Sequence, residues 1–356
     1  MNTRRPIRVL VVDDSAVART IITRGLTAEP GIEVVGTAAD PYAARDAIVE
    51  LQPDVMTLDV EMPRMDGVTF VKKLMPQWPL PIVMVSTLTT RGGQQTIEAL
   101  GAGAVDFVTK PANSGHASVA DMLAELRAKV KAAAGVDMRR RRAVPTAGPA
   151  PVKSAPVRGL VGATDKRLIA IGSSTGGVEA LRAVLPALPA NLPPVLVVQH
   201  MPPTFTALLA TRLDESCALT VREARNGELC QPGHVYIAAG GEHLRVRSEG
   251  AALRLVTGGG DPVSGHRPSV DVLFSSVAEQ VGRRAVGVIL TGMGRDGADG
   301  LLAMRQRGAR TVAQDEATSL VFGMPRVAIE QGAAELVRPI DGIASAIANL
   351  VTERPS

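Results

Sequence analysis

Residues 7–15 read IRVLVVDDS, a short apolar run that stops at two adjacent aspartates. We predict a buried strand over residues 8–12, with the acidic pair directly at its carboxyl end. Further strands are predicted at residues 33–37, 55–58, 82–85 and 105–108. Helices are predicted between and after them, at residues 16–28, 42–51, 68–74, 94–100 and 118–132. This alternation predicts an α/β domain built on a doubly wound parallel sheet.

Polar side chains follow the predicted strands at the sheet edge where such folds bind ligands. They are Asp13, Asp14, Asp59, Ser86 and Lys110. A carboxylate that accepts a phosphoryl group needs a divalent cation because donor and acceptor are both anionic, and carboxylate oxygens suit Mg²⁺. We therefore predict that Asp13, Asp14 and Asp59 hold Mg²⁺ and that Asp59 is the nucleophile. Lys110 would neutralise the charge of the phosphoryl group. Ser86 would form a hydrogen bond with that group and transmit the effect of phosphorylation outward from the site.

Taken alone, an aspartate pair of this kind is more often an acidic helix N-terminus. The surrounding motifs are more specific: VVDDS at residues 11–15, LDVEMP at 58–63 with MDG at 65–67, and TKP at 109–111. Together they resemble a response-regulator receiver domain over residues 7 to about 130. The resemblance implies that a partner histidine kinase phosphorylates Asp59. Aromatic residues, which often accompany the switch serine or threonine in that family, are scarce here.

The 356 residues are enough for two domains, and a change of composition separates them. Residues 139–167 hold eight Lys or Arg and one acid, a net charge of +7. Because the whole chain has a net charge of +4, the remaining residues together carry about −3. Because prolines follow the arginines, this segment is predicted to be a stiffened, solvated linker, although a basic docking segment remains the alternative. We expect a receiver domain at residues 1–132, a linker at 133–165 and a catalytic domain at 166–356.

The second domain opens with a predicted strand at residues 168–171, the sequence GSSTG at 172–176, and a helix at 177–185. A G-x-S-x-G sequence between strand and helix forms a sharp turn that exposes a nucleophilic serine. Ser174 is its central serine, and Ser173 is the alternative. Further strands are predicted at residues 195–199, 235–238, 244–246, 286–290 and 310–313. Further helices are predicted at residues 297–306 and 324–331.

A serine hydroxyl needs a positioned base, and His200 follows the next predicted strand. Asp296 follows a later strand and can fix the imidazole tautomer, with Asp299 as the competing choice. His266, in a predicted loop, is a candidate substrate contact. The order Ser, His, Asp differs from the Ser, Asp, His order of α/β-hydrolases, which indicates a separate fold. Backbone N–H groups near Thr175 or around Met293 are candidates for the oxyanion hole.

Three stretches carry a second resemblance: residues 172–177, QHMP at 199–202, and TGMGRDG at 291–297. They resemble the chemotaxis protein-glutamate methylesterases, the family often called CheB. The resemblance implies hydrolysis of glutamate methyl esters on chemoreceptors with release of methanol, and commonly deamidation of receptor glutamines. It also implies that the unphosphorylated regulator covers the active site and that phosphorylation of Asp59 relieves this block.

Composition excludes several other classes. Aromatic residues make up only 2% of the chain, which argues against a surface that stacks nucleic-acid bases. The N-terminal apolar run is too short for a signal peptide, no run approaches a membrane helix, and two cysteines make no disulfide scaffold, so we expect a cytoplasmic protein without membrane insertion. Two alternatives stay open: a regulator with a DNA-binding or binding-only output, and a general esterase or lipase.

Overall fold

The computed structural model describes residues 5–111, 118–138 and 166–352. The chain divides into two compact units, Met1–Arg142 and Ala143–Ser356. Most of the predicted linker, residues 139–165, lies outside the described residues. No helix in the described ranges is long and apolar enough to cross a membrane. Both cysteines, Cys217 and Cys230, are free.

The first unit is the predicted doubly wound sheet. Its strands are β1 (Ile7–Val12), β2 (Ile32–Ala38), β3 (Val55–Asp59), β4 (Ile82–Ser86) and β5 (Asp106–Thr109). Its helices are α1 (Ala16–Thr27), α2 (Pro41–Leu51), α3 (Gly67–Leu74), α4 (Thr90–Ala102) and α5 (Val119–Ala133). The strands are parallel in the order β2-β1-β3-β4-β5. The chain therefore reverses direction across the sheet at β1, between β2 and β3, which is where such sheets bind ligands.

Helix α4 begins at Thr90, four residues before the predicted start. The reason is a cap: Thr89 Oγ1 accepts a hydrogen bond from the backbone N–H of Gly92 at 2.9 Å. That cap carries the helix through two glycines, Gly92 and Gly93, which are poor helix formers.

The second unit is also α/β. Its strands are β6 (Leu168–Ser173), β7 (Val195–Gln199), β8 (Thr220–Glu223), β9 (His234–Ile237), β10 (His243–Glu249), β11 (Ala252–Gly258), β12 (Ala285–Ile289), β13 (Arg310–Gln314) and β14 (Leu336–Arg338). Its α-helices are α6 (Gly177–Val184), α7 (Phe205–Asp214), α8 (Val270–Gln280), α9 (Ala298–Gln306), α10 (Met324–Glu330) and α11 (Ile340–Thr352). The strands β10 and β11 form a separate antiparallel hairpin. The prediction had missed β8, β11, β14, α7, α8 and α11.

The remaining strands of this unit form one parallel sheet in the order β14-β13-β12-β6-β7-β9-β8. Strand β6 lies at its centre, with β7 on one side and β12 on the other. From β6 the chain continues to β7 on one side of it, and it returns later to β12 on the other side. The carboxyl end of β6 is therefore a second switch point. The residues that follow β6, β7 and β12 meet there.

Candidate functional site

In the first unit, the acidic residues and Lys110 come together at the carboxyl edge of the sheet. Lys110 Nζ lies 2.9 Å from Asp13 Oδ2 and 2.9 Å from Asp59 Oδ2. Asp13 and Asp59 are buried, whereas Asp14 is exposed. Burial raises the pKa of Asp59 to about 6; the Lys110 charge opposes this shift, and the negative charges of Asp13 and Asp14 add to it.

The same cluster has the composition of a cation site. Ligand oxygens of Asp13, Asp14 and Asp59 all lie within 4.8 Å of one another. Asp13 Oδ2 is buried, and apart from its ion pair with Lys110 it has no hydrogen-bond partner among the described residues. Carboxylate oxygens in this number are what Mg²⁺ prefers, so the residues present fit that ion.

Ser86, the predicted switch residue, is fully buried at the end of β4. Its hydroxyl accepts a hydrogen bond from Thr96 Oγ1 of α4 at 2.7 Å and lies 3.3 Å from the carbonyl oxygen of Gly92. The Ser86 hydroxyl therefore links the end of β4 to the first turns of α4. Thr96 was not identified from the sequence.

In the second unit, the two serines of the glycine-flanked turn have different surroundings. Ser173 is fully buried, and its Oγ donates to Gln199 Oε1 at 2.7 Å. The Gln199 amide in turn donates to the carbonyl oxygen of Ser174 at 2.9 Å and to that of His200 at 3.2 Å. Ser174 is half-buried and belongs to the turn itself. Gln199 thus holds the Ser174 turn and the His200 segment together, which makes Ser174 the accessible serine.

The Ser174 turn requires glycine at position 176 for two reasons. Gly176 has a φ of +79°, which L side chains rarely adopt, and a Cβ there would lie 2.6 Å from Leu320 Cβ. Gly292 is equally constrained, because a Cβ would lie 2.9 Å from Ser174 Cβ and 2.2 Å from Met324 Sδ. The loop after β12 therefore passes directly against Ser174.

His200 and Asp296 form a buried pair. His200 Nε2 lies 2.8 Å from Asp296 Oδ2, and the two side chains are 8% and 1% exposed. The other imidazole nitrogen, Nδ1, is buried without a hydrogen-bond partner, so no hydrogen bond joins it to Ser174. Nucleophile–base hydrogen bonds are often long without substrate and close in the Michaelis complex. Since an ionised carboxylate accepts only, neutral His200 carries its proton on Nε2 and leaves a lone pair on Nδ1.

The N-terminus of α8 fixes Asp296. Ser269 Oγ donates to its Oδ1 at 2.8 Å, and the backbone N–H groups of Val270 and Asp271 donate to its carboxylate at 2.7 and 3.1 Å. Burial by itself would raise the pKa of Asp296, but the hydrogen bond and charge of His200, together with these donors, outweigh burial and lower it. Asp296 therefore stays ionised at neutral pH.

Asp271 makes a reciprocal connection. Its Oδ1 accepts from the backbone N–H of Gly300 in α9 at 2.8 Å, and its Oδ2 accepts from Ser264 Oγ at 3.2 Å. Burial raises the pKa of Asp271, and the negative charge of Asp296 adds to that shift. Asp296, just before α9, binds the start of α8, while Asp271 of α8 binds the start of α9. These exchanged contacts fix both helices around the Asp296 carboxylate.

The structure also places Asp299 and the other histidines, which were considered beside Asp296 and His200. Asp299 is exposed and pairs with Arg295 at 2.9 Å instead of with His200. His266 stacks on His200, with ring centroids 3.8 Å apart and an interplanar angle of 15°. His243 is buried, and its Nδ1 accepts from the backbone N–H of Ser269 at 3.3 Å. His234 begins β9, and His116 lies outside the described residues.

Comparison with known protein families gives two matches. Residues 169–347 match the family described as CheB methylesterase, and residues 9–119 match the response regulator receiver domain. The chain is 53% identical to the protein-glutamate methylesterase/protein-glutamine glutaminase of Syntrophotalea carbinolica over 98% of this chain and 99% of that protein. It is 54% identical to protein-glutamate methylesterase/protein-glutamine glutaminase 1 of Caulobacter vibrioides, with the same coverage of both chains.

Among solved structures, the catalytic domain of the Thermotoga maritima CheB methylesterase is similar to this chain. It is 42% identical, with a TM-score of 0.51, over 52% of this chain and 98% of that one. The similarity to the two curated relatives extends over both units of the chain.

Proposed function

The chain belongs to the CheB methylesterase family and carries a response regulator receiver domain, and from that premise we propose that it is a protein-glutamate methylesterase and protein-glutamine glutaminase activated by phosphorylation of Asp59. The proposed nucleophile is Ser174, the proposed base is His200, and Asp296 orients that base. The observation that carries the proposal is the 2.8 Å contact between His200 Nε2 and Asp296, made beside the turn that carries the half-buried Ser174.

In the first half of the reaction, Ser174 Oγ attacks the ester carbonyl carbon of a methylated glutamate while its proton passes to His200 Nδ1. Nδ1 is suited to this because Nε2 is committed to Asp296. The resulting oxyanion needs N–H donors, for which the backbone near Thr175 and around Met293 is the candidate. The tetrahedral intermediate then expels methoxide, which takes the proton from His200 and leaves as methanol.

In the second half, His200 removes a proton from water, and the resulting hydroxide attacks the acyl-Ser174 carbonyl. Collapse of the second tetrahedral intermediate returns the proton to Ser174 and releases the glutamate carboxylic acid, which ionises at neutral pH. A glutamine side chain passes through the same steps, with ammonia in place of methanol as the leaving group. One set of residues thereby supports both reactions named for its relatives.

In the receiver, Asp59 is the proposed phosphoryl acceptor. Asp13, Asp14 and Asp59 would hold Mg²⁺, which when bound offsets the repulsion between the carboxylate and an anionic donor. Lys110, already 2.9 Å from Asp59, neutralises charge on the phosphoryl group. Ser86 must redirect its O–H from the backbone carbonyl oxygens of Thr87 and Gly92 to the phosphoryl oxygen, which changes the contact between β4 and α4.

The proposed partners follow from these two chemistries. A histidine kinase supplies the phosphoryl group, and the substrates are methylated chemoreceptors, reached from the cytoplasm. The proposed control is steric: the unphosphorylated receiver blocks access to Ser174, and phosphorylation shifts the receiver to a conformation that does not. No nucleic acid and no membrane insertion form part of this function.

A regulator with a purely binding output would not need the His200–Asp296 pair, and would tolerate loss of the Ser174 hydroxyl. A general esterase would cleave small soluble esters as readily as receptor esters. Both alternatives are distinguished from the proposal by activity on methylated receptors.

The test is methanol release from methylated receptor membranes by wild type, Ser174→Ala and Ser173→Ala. We expect Ser174→Ala to lose activity by at least about 10⁴-fold, as removal of a triad nucleophile does. Ser173→Ala is the matched control: it leaves Gln199 without one partner and costs roughly 1–3 kcal/mol of stability, but retains the nucleophile. Equal methanol release by wild type and Ser174→Ala would refute the proposal.

A further inference from the structure

A second imidazole covers the proposed base. The rings of His200 and His266 are nearly parallel, with centroids 3.8 Å apart. His266 is half-buried in the loop before α8. A face-to-face contact this close restricts rotation of the His200 ring, whose two nitrogens have different roles.

The loop that carries His266 is itself well fixed. The backbone N–H groups of Val263 and His266 each donate to the other residue's carbonyl oxygen, at 3.1 and 3.0 Å. Three residues after His266, Ser269 starts α8 and donates to Asp296. One continuous segment therefore supplies both the ring stacked on His200 and the donors that hold its carboxylate partner.

Several polar side chains near this loop are engaged in hydrogen bonds of their own. Arg267 donates to the carbonyl oxygen of Gly260, Asp271 accepts from Ser264, and His243 Nε2 lies 3.0 Å from the carbonyl oxygen of Asp261. Asp296 faces His200 from the side of its Nε2 edge. The face of the His200 ring is thus in contact with the aromatic face of His266.

We propose that His266 is a positioning residue for His200, and that its ring face stabilises the imidazolium formed when His200 takes the serine proton. A π face stacked on a cation is favourable, and this cation exists only during the reaction. The contact also holds the His200 ring with Nε2 toward Asp296 and Nδ1 available to the nucleophile. This inference depends on the proposed role of His200.

The stabilisation is larger in the transition state than in the ground state, so it appears in kcat and not in KM. A substrate contact, the other role considered for His266, would instead appear in KM. The strength of a partly desolvated cation–π contact corresponds to roughly 2- to 30-fold in rate.

The experiment compares full-length wild type with His266→Phe, His266→Ala and His266→Arg in methanol release from methylated receptor membranes at pH 8. Phenylalanine keeps a neutral planar ring, alanine removes it, and arginine keeps a planar group that carries a permanent charge. His234→Ala is the matched control, since His234 contacts Pro232 and Tyr236 and no residue of the site. Unfolding curves verify that each variant is folded, and Ser174→Ala sets the blank.

We expect His266→Phe to keep kcat within about 2-fold of wild type, and His266→Ala to lower kcat by roughly 3- to 30-fold with KM unchanged. We expect His266→Arg to lower kcat at least as far as alanine does. The proposal is overturned if His266→Ala keeps the wild-type kcat, if only KM changes, or if folded His266→Phe is as slow as His266→Ala. An active Ser174→Ala would instead remove the proposed function on which the inference depends.

Discussion

Asp59 and Asp296 are both buried aspartates, yet their surroundings move their pKa values in opposite directions. Burial and two neighbouring aspartates raise the pKa of Asp59 to about 6, despite the contact with Lys110. Asp296 is buried as well, but the partner His200 and the donors at the start of α8 lower its pKa. The first environment favours binding a cation and receiving a phosphoryl group, and the second keeps a carboxylate ionised beside a base.

Replacement of Asp296 tests the second environment. Asp296→Asn should lower kcat by about 10³- to 10⁴-fold, because the neutral amide no longer fixes the His200 tautomer or stabilises its imidazolium. Because the pKa of Asp296 is lower in the folded state, its ionised form stabilises the fold above about pH 4, and this stability is lost as the pH falls through the folded pKa. The variant should therefore be less stable than wild type at pH 7, with a gap that narrows below pH 4.

Asp299→Asn serves as the control, since Asp299 is exposed and pairs with Arg295. Methanol release and urea unfolding at pH 7 and pH 3.5 provide the two measurements. A folded Asp296→Asn with wild-type turnover would contradict the proposed role of Asp296.

Some site residues could be proposed from the sequence and others could not. Ser174, His200 and Asp296 could be chosen because each follows a predicted strand at one sheet edge. Gln199 could not, and His266 could be singled out only as a substrate contact, because their contacts join segments distant in the chain and no spacing rule relates them. Ser269 was missed because the helix that it caps was missed.

Helix α8 is the element on which the site depends most, and its signal was present in the sequence. Val270, Leu273, Phe274 and Val277 recur at helical spacing and are all fully buried. Ser269 precedes them as an N-cap whose Oγ accepts from the backbone N–H of Val272. The neighbouring β10–β11 hairpin was only half predicted, since β11 pairs outside the main sheet and lies next to glycine-rich turns.

The exchanged contacts between α8 and α9 place the carboxylates of Asp271 and Asp296 close together. Burial and Asp296 raise the pKa of Asp271 above its unfolded value, so its contribution to stability is present at low pH and is lost as the pH rises through the folded pKa. Asp271→Asn keeps an acceptor for the Gly300 N–H and carries no charge. We expect the variant to be more stable than wild type at pH 8, by about 1 kcal/mol or more, and to match it near pH 4.

Urea unfolding of wild type and Asp271→Asn at the two pH values measures this difference. The exposed Asp299→Asn again provides a control on α9. If Asp271→Asn is destabilised equally at pH 4 and pH 8, ionisation of Asp271 beside Asp296 does not lower the stability of the folded protein at pH 8.

For the whole molecule, strand alternation and the positions of polar residues at strand ends were enough to predict two α/β units. The order of strands in each sheet was beyond the sequence, because it depends on pairings between distant segments such as β6 with β12. Both units place their functional residues at a switch point of a parallel sheet. In one unit those residues are suited to accept a phosphoryl group, and in the other to transfer an acyl group.

We propose that phosphorylation of Asp59 controls an esterase on the same chain. Methanol release from methylated receptor membranes, with and without a small phosphodonor and Mg²⁺, tests this control. The proteins to compare are wild type, Asp59→Asn and a truncation lacking residues 1 to about 140.

We expect the phosphodonor to stimulate wild type, and Asp59→Asn to keep basal activity without stimulation. We expect the truncation to have higher basal activity than the full chain and not to respond to the phosphodonor. Stimulation of Asp59→Asn equal to that of wild type, or a folded truncation less active than the unphosphorylated full chain, would show that phosphorylation of Asp59 does not control the esterase as proposed.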